Sequence, residues 1–254
     1  MRRNNYVFDR VRSNSYEFGE TSNYLGVASK SGILLFITFL SACLTIVFLN
    51  SLSNAAILFY VLASLATVVL HIIISFKPHL AKGLSIPYVI CEGFVIGILC
   101  DLLKYAFPGE GLSLAAMALM MTFGILIAAV ILYSNHRIRV STGFLKVFCI
   151  ILLGILIANI LFSIISLILY LSSGINLWMI YFYSPLSIFV SIIMVLISAI
   201  YVYMTIQNVS DLVENGADKK YEWYMAFGVV MSIIWLFLDI LRLLIRLAAS
   251  RSRD

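Results

Sequence analysis

Lys219-Lys-Tyr-Glu222-Trp-Tyr-Met-Ala-Phe-Gly228 leads into the apolar run 229–238, and Asp239-Ile-Leu-Arg242-Leu-Leu-Ile-Arg246 follows it. The stretch is long and apolar enough to cross a membrane, yet it holds a carboxylate and has two arginines behind it. An Asp at the centre of a membrane helix costs about 2.5 to 3.5 kcal/mol. Hydrophobic filler would not carry that cost. Asp239 is therefore the first residue to explain, and the rest of the chain is read for what works with it.

Composition agrees with a membrane reading. Of 254 residues, 63% are hydrophobic and 11% charged, and the mean hydropathy is +1.06. A soluble domain has about 45–50% apolar and about 25% charged residues. So little charge could not coat a water-facing surface, and the class is all-α and polytopic. Spans need about 20 apolar residues, and seven stretches qualify: 31–50, 54–76, 84–107, 112–134, 143–173, 183–210 and 222–249. The fifth exceeds one perpendicular crossing, so tilt or a projecting end is expected. Residues 31–249 form the membrane domain, between a polar basic tail at 1–30 and a short polar tail at 250–254. The first tail has no apolar region followed by a small-residue cleavage site, so it is expected to stay attached.

The loops alternate in charge. Residues 50–54 carry none, and 107–111 carry only Glu110. Residues 172–183 are uncharged and aromatic. The other loops hold Lys77, His79 and Lys82, then Arg137, Arg139 and Lys146, then Lys219 and Lys220. This bias places the N-terminus and every second loop in the cytosol. Seven crossings then leave Arg251 and Arg253 outside, against the same rule. The net charge of +5 follows from topology and gives no reason to expect nucleic acid. Pro87 and Pro185 are each expected in the first turn of a span, where a missing N–H costs little.

Few polar residues lie at membrane depth. Glu92 is about 12 Å into the third span, and Asp101 is about 180° around and roughly 13.5 Å further along. Asp101 is expected to pair with Lys104 at i+3. Glu92 is either hydrogen-bonded packing glue or an acid that senses protons or passes cations. On the seventh span Arg242 lies at i+3 from Asp239, and Arg246 about 20° from eclipsing it. That cluster is either structural pairing or a latch that acid breaks. His71 reads as a satisfied interfacial residue. Asn159, Thr205, Gln207 and Asn208 offer interhelical hydrogen bonds of about 0.6 kcal/mol each.

Enzyme motifs are absent: there is no Gly-x-Ser-x-Gly, no His-Glu-x-x-His and no P-loop. Cys43, Cys91, Cys100 and Cys149 all sit in apolar runs without metal-ligand spacing and read as buried small hydrophobes. No enzyme activity, cofactor or bound metal is expected.

An ordered set of short motifs carries a resemblance. It comprises Ser29-Lys-Ser-Gly32, Glu92-Gly-Phe-Val-Ile-Gly97, Phe107-Pro-Gly109, Arg139-Val-Ser-Thr-Gly-Phe144 and Ser184-Pro185. Glu222-Trp-Tyr-Met-Ala-Phe-Gly228 and Leu236-Phe-Leu-Asp-Ile-Leu-Arg-Leu-Leu244 complete it. Together they resemble the Bax-inhibitor-1 family in its bacterial branch. The resemblance implies six helices around a central seventh, in a bacterial plasma membrane, and a pH-sensitive calcium leak. It also implies two facing aspartates on the last two helices. Asp239 matches the second; a seven-residue shift would put Ser232 there instead. Counting back from Glu222-Trp-Tyr puts the first aspartate at Thr205 and a further acidic position at Gln207, so the partner carboxylate is missing.

The expected function is thus a Ca²⁺ leak modulated by pH through Asp239 and Glu92. Arg242, Arg246, Thr205, Gln207 and Asp101 are its supporting polar groups, and Ca²⁺ is its cargo. The alternative is a non-conducting regulator that binds another membrane protein, such as the membrane-bound quality-control protease that bacterial relatives suggest.

Overall fold

The computed structural model describes residues 20–49, 56–134 and 140–251. Expectations for 1–19, the 50–54 loop, His136, Arg137, Arg139 and Arg253 lie outside the described residues. The elements are α1 (Tyr24–Leu49), α2 (Ala56–Phe76), α3 (Ala81–Ala106), α4 (Gly111–Ser134), α5 (Thr142–Ser173), α6 (Leu177–Phe182), α7 (Pro185–Glu214) and α8 (Glu222–Arg251). Short 3₁₀ turns at Pro78–Leu80 and Lys219–Tyr221 precede α3 and α8. Among the described residues, seven helices are long and apolar enough to cross a membrane, and α6 is the short exception.

All seven expected spans are present, with two differences at their starts. Helix α1 begins at Tyr24, so Ser29, Lys30 and Ser31 are helical. Their polarity suggests a tail, but Lys30 pairs with Glu222 and Ser31 bonds the Val27 carbonyl. Helix α3 begins at Ala81, which puts Pro87 in its second turn and not its first. Pro185 does open α7.

Helix ends follow local chemistry. Ser141 is extended and its hydroxyl accepts from Phe144 N at 3.3 Å, capping α5. Gly174 ends that helix with φ +68°, a left-handed conformation that favours glycine, and returns its N–H to Tyr170 O at 3.0 Å. At 32 residues α5 spans about 48 Å, well over the ~30 Å hydrocarbon core. Only 6% of its span is buried, against 61% for α3 and 50% for α8. The three acids expected at membrane depth thus lie on the two most buried helices.

The described residues pack as two compact units. One comprises the described residues within 1–117 and 208–234, the other those within 118–207 and 235–254. In the first, α1 and α3 meet at two glycines. A Cβ on Gly97 would lie 2.6 Å from Thr45 Cβ and 2.7 Å from the Ala42 carbonyl oxygen, and one on Gly93 would strike the Thr38 carbonyl. The spacing Gly-x-x-x-Gly lets the two backbones approach, and Ser41 adds a hydrogen bond to Ile90 O at 2.8 Å. The second unit contains most of α4, all of α5 and α6, most of α7 and the C-terminal part of α8. Its cysteine, Cys149, is exposed on α5, unlike the buried Cys100 of the first unit.

Candidate functional site

Asp239 belongs to the second unit. Its Oδ1 accepts from Arg242 Nη1 at 3.0 Å, one turn on, as the i+3 spacing predicts. Its Oδ2 accepts from the Ser198 hydroxyl of α7 at 2.8 Å. The carboxylate is 11% exposed and the arginine side chain 62%, so the charge is held from one side by an exposed partner and from the other by a buried hydroxyl. Among the described residues no further cation pairs with Asp239.

Ser198 has one proton and two close acceptors, with Val195 O further off at 3.5 Å. Met194 O lies 2.6 Å from its oxygen, and Asp239 Oδ2 lies 2.8 Å from it. With Asp239 ionised, the serine proton goes to the carboxylate. With Asp239 protonated, the acid can donate to the serine oxygen while the serine turns to Met194 O. Both states leave every group satisfied, as a buried polar network requires.

Two supporting residues bond to groups other than Asp239. Thr205 does not face Asp239; its hydroxyl donates to Tyr201 O at 2.9 Å. Ser198, seven residues earlier and about 10.5 Å along the helix, holds that place. Arg246 does not join Asp239 either. It donates from Nη1 to Ser187 O at 2.6 Å and to the Ser191 hydroxyl, and its guanidinium carbon lies 5.2 Å from the centre of the Tyr181 ring. The pairs Ser198–Asp239 and Ser191–Arg246 are offset by seven residues on each helix, so they set one antiparallel register. Gln207 is bound to backbone, accepting from Val140 N at 2.9 Å and donating to Val140 O at 3.2 Å. Asn159 donates to Ile155 O of its own helix at 2.9 Å.

Glu92 belongs to the first unit, on α3, with 7% exposure. The hydroxyls of Thr67 on α2 and Tyr88 one turn earlier are its hydrogen-bonding neighbours. No lysine or arginine pairs with it among the described residues. Tyr88 also approaches Met231 Sδ at 2.6 Å and packs edge-on against Phe227 at 4.9 Å between ring centres. His71 packs on the same rings, 6.4 Å from Tyr88 and 5.9 Å from Phe227. Asp101 is buried and bonds Lys104 Nζ at 3.1 Å, the local pair its spacing predicts. Among the described residues there is no group of three His, Cys, Asp or Glu able to hold a metal ion.

Sequence reading missed two features beside these acids. Ser187, Ser191 and Ser198 recur at four- and seven-residue spacing on α7, and Ser191 and Ser198 meet Arg246 and Asp239 of α8. Glu222, fully buried, accepts from Asn23 N at 3.0 Å and pairs with Lys30, whose Nζ also lies 5.8 Å from the centre of the Trp223 ring. Gly26 faces that carboxylate closely: a Cβ there would sit 2.5 Å from both oxygens.

Among the described residues, seven helices long and apolar enough to cross a membrane, with Glu92, Asp101 and Asp239 buried on two of them, define an integral, polytopic helical membrane protein. The description "Bax inhibitor 1 like" matches residues 5–249, nearly the whole chain, and the chain belongs to that family. No curated protein and no solved structure was found to match it.

Proposed function

We propose that the protein is a non-enzymatic, pH-modulated cation leak, with Ca²⁺ as the cargo and Asp239 as its principal titrating acid. The reading rests on one observation: the Ser198 proton has two close acceptors, so the site around Asp239 has a satisfied hydrogen-bond pattern for each protonation state. Loss of the charge removes the attraction to Arg242, one turn along α8 and largely exposed. That arginine is then free to leave. Glu92, buried among hydroxyl and aromatic groups and paired with no lysine or arginine among the described residues, is the second acid of the proposal. The plasma-membrane location, the cytosolic N-terminus and the arrangement of six helices around the seventh belong to the same reading, and family membership supports them.

The test is flux in liposomes holding a Ca²⁺ dye, at pH values from about 6 to 8, a range that shifted buried carboxyls reach. Wild type should leak above empty vesicles, and Asp239→Asn should flatten the pH response. Flux no greater than in empty vesicles at every pH would sink the proposal.

A specific observation favours the non-conducting alternative. Calcium takes six to eight oxygen ligands in its tight sites, yet among the described residues no three His, Cys, Asp or Glu gather to hold a metal ion, and the Gln207 side-chain oxygen already accepts from Val140 N. A regulator that binds another membrane protein needs no such oxygens. Cross-linking in native membranes separates the readings, since a stoichiometric protein partner in the absence of flux supports the regulator.

A further inference from the structure

We propose that the protein carries a phosphate-binding pocket at Arg246, distinct from the Asp239 site. The pocket is a cavity of about 230 Å³ in the second unit, several times the ~30 Å³ share of a liquid water. Phe182 ends α6 and Tyr183 follows it into the wall, Pro185 and Ile188 come from the first turns of α7, and Arg246 and Ser250 come from the end of α8.

The guanidinium is fixed on one side and open on the other. Nη1 is anchored to Ser187 O and Ser191 Oγ, and the Tyr181 ring lies against the group. Among the described residues no acceptor meets Nε or Nη2, and no carboxylate pairs with the side chain. These two nitrogens form the side edge of the fork, which matches two oxygens of a phosphate. Both serine hydroxyls in the lining already donate to carbonyls, Ser184 to Tyr181 O at 2.8 Å and Ser250 to Leu247 O at 2.9 Å. The guanidinium is therefore the charged donor of the lining, and a ligand must bring the acceptors.

Charge and depth agree with an anion. No acid lines the cavity, and Arg251 lies one turn and a half beyond Arg246 on the same helix. The start of α7 contributes the positive end of a 30-residue helix to the same wall. Trp178 and Tyr181 pack with Phe162 nearby, at 5.0 and 5.6 Å between ring centres. Such aromatic groups gather at headgroup level. The ligand is a phosphate oxyanion, carried by an anionic phospholipid headgroup or free in water.

The full chain in phosphatidylcholine nanodiscs, doped with dioleoylphosphatidylglycerol, tests this by native mass spectrometry of retained lipid. Wild type should retain one phosphatidylglycerol, with affinity about ten- to hundredfold above Arg246→Gln, the range for a lost charge-assisted contact. Arg246→Lys should fall between them. Ser250→Phe, which fills the cavity mouth from an exposed position, should lose the lipid with an unchanged unfolding midpoint, so the readout survives if Arg246→Gln folds poorly. Retention insensitive to inorganic phosphate assigns the site to headgroups, and displacement by millimolar inorganic phosphate assigns it to the free anion. Equal retention in wild type, Arg246→Gln and Ser250→Phe would overturn the proposal, as would no binding of either probe to wild type.

Discussion

Ser198 and Asp239, 41 residues apart in sequence, share a 2.8 Å hydrogen bond between α7 and α8. With Ser191 and Arg246 one heptad away, the bond sets which α7 position opposes the acid. A second carboxylate introduced at the opposing position must couple to Asp239; one introduced elsewhere must not.

Ser198→Asp is therefore expected to give two coupled titration steps separated by more than about one pH unit, because two carboxyls at contact share a proton. Thr205→Asp should leave the Asp239 titration as a single step. Trp235, stacked at 5.9 Å on Tyr201 of α7, offers a fluorescence reporter in the same unit. Ser198→Ala should destabilise the protein by about 1.5–3 kcal/mol, the range for a bond to a charged group. Coupling at position 205 and none at 198 would refute the register.

The seven spans were legible because the signal for a membrane helix is its own length and hydropathy, which no tertiary contact has to supply. The pairs Asp101–Lys104 and Asp239–Arg242 were legible for a related reason: i+3 neighbours on one helix meet whatever surrounds them. The partner of Asp239 across α7 was not. Counting from Glu222 through a turn cannot fix register, since the turn contains a left-handed Gly216 and a 3₁₀ segment whose lengths the count does not see. Arg246 was misplaced by the same logic, because helical spacing names the face and leaves the partner to the neighbouring helix. Lys30 and Glu222 were hidden by 192 residues of separation.

The Lys30–Glu222 pair holds the start of α1 to the start of α8. Its carboxylate is 1% exposed and its lysine 19%. Removing one partner strands a buried charge, so Lys30→Met should destabilise by about 3–5 kcal/mol. Replacing both, as Lys30→Met with Glu222→Leu, should recover much of the loss. Thermal unfolding of detergent-solubilised protein measures this, and a double variant no better than Lys30→Met would show that the pair's charge is not what matters. Gly26→Ala should also destabilise, since its Cβ would meet both Glu222 oxygens at 2.5 Å.

Ahead of the first span, Glu20 pairs with Lys219 on the surface. The Lys219 hydrogen bond, and next its charge, hold the Glu20 carboxyl below its ordinary range. A depressed folded value stabilises the fold fully above the unfolded carboxyl value, about 4.3, and loses that stabilisation as pH falls through the folded value. Wild type should thus exceed Glu20→Gln in unfolding midpoint at pH 6, and the gap should close on acidification. High salt should narrow it too, because the pair is exposed. A gap that widens towards acid would contradict the sign.

Glycine to alanine should act with opposite signs at two helical positions. In open surroundings the change stabilises a helix by roughly 0.5–1 kcal/mol, because glycine loses more backbone freedom on folding. Gly124, inside α4, is such a place: a Cβ there meets nothing within 4 Å. Gly97 on α3 is the reverse, with Thr45 Cβ at 2.6 Å and Ala42 O at 2.7 Å from the added carbon. Neither neighbour is the far end of a flexible side chain, so α1 itself must move away. Overpacking of this kind costs about 1–3 kcal/mol, which outweighs the entropic gain. Gly97→Ala should therefore lower the unfolding midpoint, Gly124→Ala should raise it slightly, and Gly97→Val should exceed Gly97→Ala in damage. A Gly97→Ala protein as stable as wild type would mean that α1 and α3 are not in backbone contact at this position.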